Sequence, residues 1–365
     1  MRKLDSSPNA DWIEHTAIQI PHPLECLNIS VCTTCSLTCR FCAYRVSRIP
    51  QTIMPNDRFY SVIDQAVLFG YRIFNLTPLL GEVLLDPGFL EKIDYLENQT
   101  SVKSYFFSTN LTHADEKFFA ALDQTKKCQW FSVSLYSLNS EDYLKMTGAD
   151  EEVFSKTIEN LKRMCGAKTL AGRSEIRVRG PGPRKAASPS TEVTRVLDQL
   201  HQQGTQIRSG VRVMNWGGVI KKRDIIGLDL EFKSAKHKQT LPCVFLFHKP
   251  NILPDLRVNA CSCGDAHAQL SIGNLENQTF SDIFSIENET YLEILQGHFS
   301  GNFPSPCKAC SGYRSLDKTW YSYQYYDRGF ISVQKFFDWL SHQFPSKGTN
   351  NPEKKVWIPG RPPTS

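Results

Sequence analysis

Short apolar or alternating runs recur along the first two thirds of the chain. They are LECLNISV, running into Cys32, then YRIFNLTP (71–78), VKSYFFSTN (102–110), CQWFSVSLYS (128–137), SEIRVRG (174–180) and IRSGVRVMNW (207–216). Each is rich in β-branched or aromatic residues and predicts a strand. Between them, FYSVIDQAVLFG, ADEKFFAALDQT, EEVFSKTIENLKRM and TEVTRVLDQLHQQG carry apolar residues at helical spacing. Asn56 and Asp57 stand before the first of these helices as candidate caps, and Ser190 and Thr191 before the last. Six strands alternating with helices describe an α/β unit built on a mainly parallel sheet. Periodicity leaves open whether that sheet is doubly wound or a partial barrel. Either form places ligand-binding groups at the C-terminal ends of its strands.

After about residue 222 the alternation stops. The rest is rich in turn residues and short elements, with SDIFSIENETYLEILQG predicting a helix, and it contains Cys243, Cys261, Cys263, Cys307 and Cys310. The expected organisation is an N-terminal extension over 1–23, an α/β core over 24–222, a small cysteine-rich α+β domain over 223–315 and a C-terminal extension over 316–365. That last stretch holds TWYSYQYYDRGF, a helical SVQKFFDWLSHQF and a Pro- and Lys-rich end.

Charge changes this picture little: 42 basic against 37 acidic residues is a weak bias and makes no case for nucleic acid. No apolar segment follows the basic start, and no run of about 18 apolar residues occurs, so neither secretion nor a membrane span is expected. Cysteine changes it more. Twelve of them, grouped in CxxC and CxC spacings, read as metal ligands in a reducing, cytoplasmic setting.

The densest group is CTTCSLTCRFCAY, which follows the first strand and holds Cys32, Cys35, Cys39 and Cys42. Three thiolates in a short loop can hold three corners of an iron-sulfur cubane and leave one iron open. Cys32 and Cys35 form a CxxC, so four-cysteine zinc and redox thiols are also compatible with the spacing.

Cys35-x3-Cys39-x2-Cys42, with Phe41 ahead of the last cysteine and a strand just upstream, resembles the signature of the radical S-adenosylmethionine (SAM) superfamily. The resemblance implies a partial (β/α)6 TIM-like barrel in which Cys35, Cys39 and Cys42 hold a [4Fe-4S] cluster and Cys32 stands outside the ligand set. It implies that SAM takes the open iron, and that its reductive cleavage gives a 5′-deoxyadenosyl radical that abstracts hydrogen from a substrate. The electron would come from an external reductant such as flavodoxin or ferredoxin. Phe41 would pack near cluster and adenine. Leu80-Gly81-Glu82-Val83 resembles the family's Gly-Gly-Glu-Pro turn, which holds the methionine amino group, although Leu80 and Val83 depart from it. Thr109 and Asn110 match a Thr-Asn at the third strand's end, and Ser134 matches a serine that contacts the cofactor. Arg177 or Arg179 would meet the cofactor carboxylate, and Trp216 would stack on adenine or substrate.

Cys243, Cys261, Cys307 and Cys310, with QLSIGNLENQTFSDIF among them, resemble the C-terminal auxiliary domain called SPASM, or twitch in its shortened form. The resemblance implies a second [4Fe-4S] cluster on those four, with Cys263 a neighbour able to replace Cys261. A zinc ribbon is the alternative on spacing alone.

The substrate side is less marked. Lys162, Arg163, Lys168, Arg173, Arg177, Arg179, Arg184 and Lys185 form a basic stretch interrupted only by Glu175, which suits a solvated face or a site for a carboxylate, phosphate or acidic peptide. GPGPRKAASPS after the fifth strand reads as a loop at the catalytic end. The short stretch ahead of the first strand leaves no room for a winged peptide-binding domain. The expected substrate is therefore a polar small molecule, sugar or aminocyclitol-like, that loses hydrogen. Peptide modification and epimerisation are the alternatives, the latter with Cys128, Cys165 or Cys263 as hydrogen donor. A non-catalytic iron-sulfur or zinc protein is the remaining class.

Overall fold

A computed structural model describes residues 26–182, 189–233, 239, 242–243, 245–285 and 287–314. The expected extensions over 1–23 and 316–365, with Arg184 and Lys185 of the loop after the fifth strand, lie outside the described residues.

Six strands, β1 (Leu27–Ile29), β2 (Ile73–Asn75), β3 (Ser104–Thr109), β4 (Cys128–Leu135), β5 (Ser174–Arg179) and β6 (Gln206–Gly210), lie side by side in chain order and pair in parallel. A doubly wound sheet would reverse direction along its edge order after the first few strands. Here the order never reverses, so successive right-handed crossovers leave their helices on one side, as in a barrel. The fold is mixed α/β, with the parallel sheet of a partial TIM-like barrel.

The helices pack on this sheet through one apolar stripe each. In Thr191–Gln202 the buried residues are Val193, Val196, Leu197 and Leu200, at the spacing of one helical face, and the Ser190 hydroxyl caps its start by accepting from Val193 N at 3.4 Å. Between sheet and helices, Phe107 of β3 makes edge contacts with Phe89 and Phe118 and stacks on Phe131 of β4. At the first helix, Asn56–Phe69, the expectation of a side-chain cap is corrected. Pro55 is the cap residue, while Asn56 is the first helical residue and accepts from the buried Lys92 ammonium.

The expected sixth strand also divides. β6 ends at Gly210, and the chain turns away from the sheet before Arg212–Val213, which becomes β7 and pairs in parallel with β8 (Glu231–Phe232). Both halves are extended, so the alternation reads through the break. Trp216 accordingly lies in a turn beyond β7 and not at the end of a barrel strand.

The C-terminal third does not stand apart from the sheet. β9 (Asn251–Ile252) pairs in parallel with β1, and β10 (Arg257–Asn259) and β11 (Ser271–Asn274) add to it antiparallel, giving nine strands in the order β11-β10-β9-β1-β2-β3-β4-β5-β6. Buried polar side chains hold β1 to both neighbours: toward β9, Asn28 Nδ2 donates to Pro250 O at 3.0 Å and Ser30 Oγ to Asn251 Oδ1 at 3.1 Å, while from β2 Asn75 Nδ2 donates to Asn28 Oδ1 at 2.9 Å. The helix expected in SDIFSIENETYLEILQG is two, Phe280–Ile283 and Glu289–Phe299.

Candidate functional site

The loop after β1 carries Cys35, Cys39 and Cys42 and is pinned by backbone bonds to the end of the helix Ser140–Thr147. Thr38 N donates to Thr147 O and Arg40 N to Met146 O, each at 2.9 Å, and Cys42 N closes a turn onto Cys39 O at 2.9 Å. Burial pushes the Cys35 thiol up to about 12 and those of Cys39 and Cys42 upward too, with neighbouring thiols adding to the effect at Cys35 and Cys39. Three such thiols ionise only where a strong positive centre, such as a bound metal, replaces the lost water. Cys32 differs. It is 1% exposed, its Sγ donates to Thr34 O at 3.4 Å, and it faces Ile53 across a β-bridge.

Beyond β2 the chain turns at Gly81 (φ +100°) and delivers Glu82. This carboxylate is 2% exposed and fully engaged: Oε1 accepts from Thr109 Oγ1 at 2.6 Å and Leu84 N at 3.1 Å, and Oε2 from Asn110 N at 2.5 Å. Burial raises its pKa to about 7 despite these donors. The two departures from the family turn, Leu80 and Val83, are both buried core residues. Asp86 holds the chain as it enters the next helix, accepting from Gly88 N at 2.9 Å and pairing with the buried Lys92 at 2.8 Å.

At the end of β3, Asn110 uses Oδ1 to accept from Thr112 N at 2.9 Å, while its Nδ2 is buried without a protein partner. On β4 the two serines divide: Ser132 is fully buried with its hydroxyl 3.4 Å from Glu175 Oε2, and Ser134 opens on the site. On β5, Arg177 Nε donates to Glu175 Oε2 at 2.6 Å and the guanidinium lies 5.5 Å from the Trp130 ring centre. Arg179 instead lies over Phe41 at 6.0 Å, its Nε without a protein acceptor, and its charge opposes the raised pKa of Cys42.

These groups line one cavity of about 400 Å³. Cys35, Cys39, Cys42, Phe41, Gly81, Glu82, Asn110, Ser134, Arg177 and Trp216 all contribute to its wall. So does Tyr136, which the sequence pattern did not single out. Its ring lies against that of Phe41, with centres 5.9 Å apart. The signal was an aromatic just past the end of β4. Cys128 and Cys165 are buried and do not reach this wall.

Cys243, Cys261, Cys263, Cys307 and Cys310 line a second, small apolar cavity. Burial raises the pKa of all five, that of Cys243 to about 12. Lys249, Lys233 and Arg314 oppose this shift at Cys263 and would offset the negative charge of a thiolate-bound cluster. Among the described residues no group of three or more His, Cys, Asp or Glu side chains is placed to hold a metal ion. Cys263 lies in the wall of both cavities, its Sγ 3.7 Å from Met214 Sδ.

The segment Asn215-Trp216-Gly217-Gly218 joins the two. The Asn215 side chain donates to Ala309 O at 2.7 Å and accepts from Ser311 N at 2.9 Å. Trp216, in the left-handed region (φ 51°), donates from Nε1 to Phe41 O at 3.0 Å. A residue bulkier than glycine at 217 would place its Cβ 2.7 Å from Pro306 O.

Residues 29–170 match the family described as the radical SAM superfamily. No curated protein sequence matches the chain. Among solved structures, BtrN in complex with AdoMet and 2-DOIA aligns with a TM-score of 0.52 at 15% identity, over 82% of this chain and 97% of that one. SuiB of Streptococcus suis, bound to the precursor peptide SuiA, gives 0.54 at 16% identity over 83% and 72%. The protein anSMEcpe with bound AdoMet gives 0.52 at 16% identity over 88% and 98%. Identities this low show a shared fold. Among the described residues no helix is long and apolar enough to cross a membrane.

Proposed function

We propose that this chain, which carries a radical SAM domain over residues 29–170, is an enzyme that cleaves SAM reductively and dehydrogenates a polar small molecule. The observation that carries the proposal is the convergence of Cys35, Cys39, Cys42, Glu82, Asn110 and Arg179 on one cavity. Cys35, Cys39 and Cys42 would hold a [4Fe-4S] cluster. With SAM bound and one electron delivered, such a cluster supplies the 5′-deoxyadenosyl radical that abstracts hydrogen. The electron would come from a small reductant such as flavodoxin or ferredoxin in the cytoplasm.

The chain's own groups would position the cofactor. Gly81 and Glu82 would present backbone to the methionine amino group, and the unpartnered Asn110 Nδ2 and Arg179 Nε would donate to cofactor acceptors. Arg179 takes the carboxylate role in preference to Arg177, whose Nε is already committed to Glu175. Phe41 and Trp216 would flank the adenine. A cavity of about 400 Å³, shared with SAM, suits a compact substrate better than a peptide chain.

Cys243, Cys261, Cys307 and Cys310 would hold the second cluster, whose chemistry is that of an electron acceptor. That supports dehydrogenation, in which the carbon beside a hydroxyl or amine loses a hydrogen atom, then a proton and an electron, to become a carbonyl or imine. Cys263 favours one second reading, epimerisation, because its thiol lines the substrate cavity and could return a hydrogen atom. Incubating the reduced, reconstituted protein with SAM and polyols, aminocyclitols, sugar acids and short peptides tests both. Formation of 5′-deoxyadenosine and a product lighter by two hydrogens is expected. An unchanged mass with deuterium gained from heavy water would mark epimerisation, and failure to form 5′-deoxyadenosine would defeat the enzymatic reading altogether.

A further inference from the structure

The cysteine loop has two faces, and its residues alternate between them. Cys35, Leu37, Cys39 and Phe41 line the cavity, whereas Ser36, Thr38 and Arg40 between them do not. Ser36 and Thr38 are exposed and Arg40 is half-buried. The loop is therefore a wall one residue thick, with the three thiols on its inner side. Its outer face offers charge a short route to those thiols that does not cross the space assigned to SAM and substrate.

That outer face is joined to the turn that follows Val219. Arg40 Nη2 donates to Ile226 O at 3.0 Å, and Ile225 is buried in one apolar group with Leu37, Cys39 and Phe41. Ile226 does not follow its neighbour inward. It is 69% exposed, one of only three large apolar side chains so open among the described residues. Lys145, exposed on the helix Ser140–Thr147, reaches the same turn from the other direction, since a Cβ at Gly227 would lie 3.9 Å from its Nζ. Two cations thus meet the chain at Ile226 and Gly227, and the exposed Lys221, Lys222 and Arg223 come just before.

The acids of this turn are Asp224 and Asp229, and Asp224 is engaged by the backbone, accepting from Lys221 N at 2.7 Å. None of the five cations is in an ion pair among the described residues. An open isoleucine gains by burial against a partner, and a basic surround steers and orients an acidic one.

Resting on the reading of the cavity as a SAM site supplied with one electron at a time, we infer that the face centred on Ile226, between Arg40 and Lys145, docks the electron donor, and that this donor is an acidic one-electron carrier protein. The carrier is oxidised by one electron and the group held by the cysteine loop is reduced by one. No bond or proton is exchanged at the contact.

Reduction of the anaerobically reconstituted protein by two reductants tests this: reduced flavodoxin, an acidic protein, and dithionite, which is too small to need a docking face. Oxidation of the flavodoxin is followed by stopped flow. The double variant Lys145→Glu with Lys222→Glu should lower the flavodoxin rate about tenfold or more at limiting flavodoxin, while the dithionite rate and the iron content stay as in the parent. Lys117→Glu, on the helix Glu116–Gln124, controls for a plain change of net charge and should leave both rates unchanged. In the parent, raising salt from roughly 50 to 500 mM should slow flavodoxin severalfold. A double variant that flavodoxin reduces at the parent's rate, an equal loss with both reductants, or a flavodoxin rate indifferent to salt overturns the inference. The enzymatic reading fails on a different measurement, the absence of 5′-deoxyadenosine from the dithionite-reduced protein.

Discussion

Gly81 rests against the main-chain carbonyl of Cys32: a Cβ at position 81 would lie 2.0 Å from that oxygen and 3.0 Å from the Thr33 Cα. The contact ties the turn that delivers Glu82 to the strand that delivers the cysteine loop. It also gives Cys32 a role unrelated to metal, as part of the floor under that turn.

Gly81→Ala should therefore destabilise the fold by roughly 2–4 kcal/mol, since it combines a backbone clash with a φ of +100° that L-residues avoid. Thermal unfolding of the reconstituted protein measures this. A shift in Tm of no more than a degree would mean the turn is not packed as described.

Cys32→Ala should keep the iron of the first site and cleave SAM, whereas Cys42→Ala should lose both. The Cys32 thiol is turned to Thr34 O and is absent from the cavity wall, while Cys42 is part of it. Iron analysis and 5′-deoxyadenosine formation read the two variants. Loss of iron in the first with retention in the second would reverse the ligand assignment.

Two clusters imply about eight irons per chain in anaerobically reconstituted protein. The double substitution of Cys307 and Cys310 with alanine should leave about four and reduce substrate oxidation far more than uncoupled SAM cleavage. Iron and sulfide assays with Mössbauer spectroscopy decide it, and stoichiometric zinc in place of the second set of irons would contradict the assignment.

Glu82 gives a pH signature. Its pKa is about 7 in the fold against an ordinary value of 4.5, so between those values the folded chain holds a proton that the unfolded chain releases. Stability from this group is present at low pH and is lost as pH rises through about 7. The loss is on the order of 3 kcal/mol. Urea unfolding at pH 5 and pH 8 should show the drop in the parent and a flatter profile in Glu82→Gln. Identical slopes in the two proteins would show that the carboxyl is solvated.

The strand and helix alternation and the two cysteine groups were legible because each is a local pattern. Periodicity marks one residue run at a time, and a CxxxCxxC loop brings its thiols together over a few bonds. Gly81, Glu82, Thr109 and Asn110 were each singled out, but the clasp of Glu82 on Thr109 and Asn110 was not legible, since it joins the ends of different strands. The pairing that sets Arg177 apart from Arg179 was also invisible. Both share a face of β5, and only the position of Glu175 two residues before Arg177 ties one of them down. The break at Gly210 was hidden because β6 and β7 are both extended, and the placement of Trp216 with it. Pairing of β9 with β1 had no local signal at all.

That pairing bears on how the chain is made. β1 leaves the ribosome well before the strand that completes one of its two edges, since Asn251 and Ile252 emerge only after β2 to β8. Until then the buried amide of Asn28 and the hydroxyl of Ser30 have no acceptor on that side, and an apolar edge strand stays open to other nascent chains. The cysteine loop directly follows this strand. Assembly of the metal site should thus be timed by the arrival of the C-terminal third, and chains truncated before residue 251 should aggregate where the full chain takes up iron.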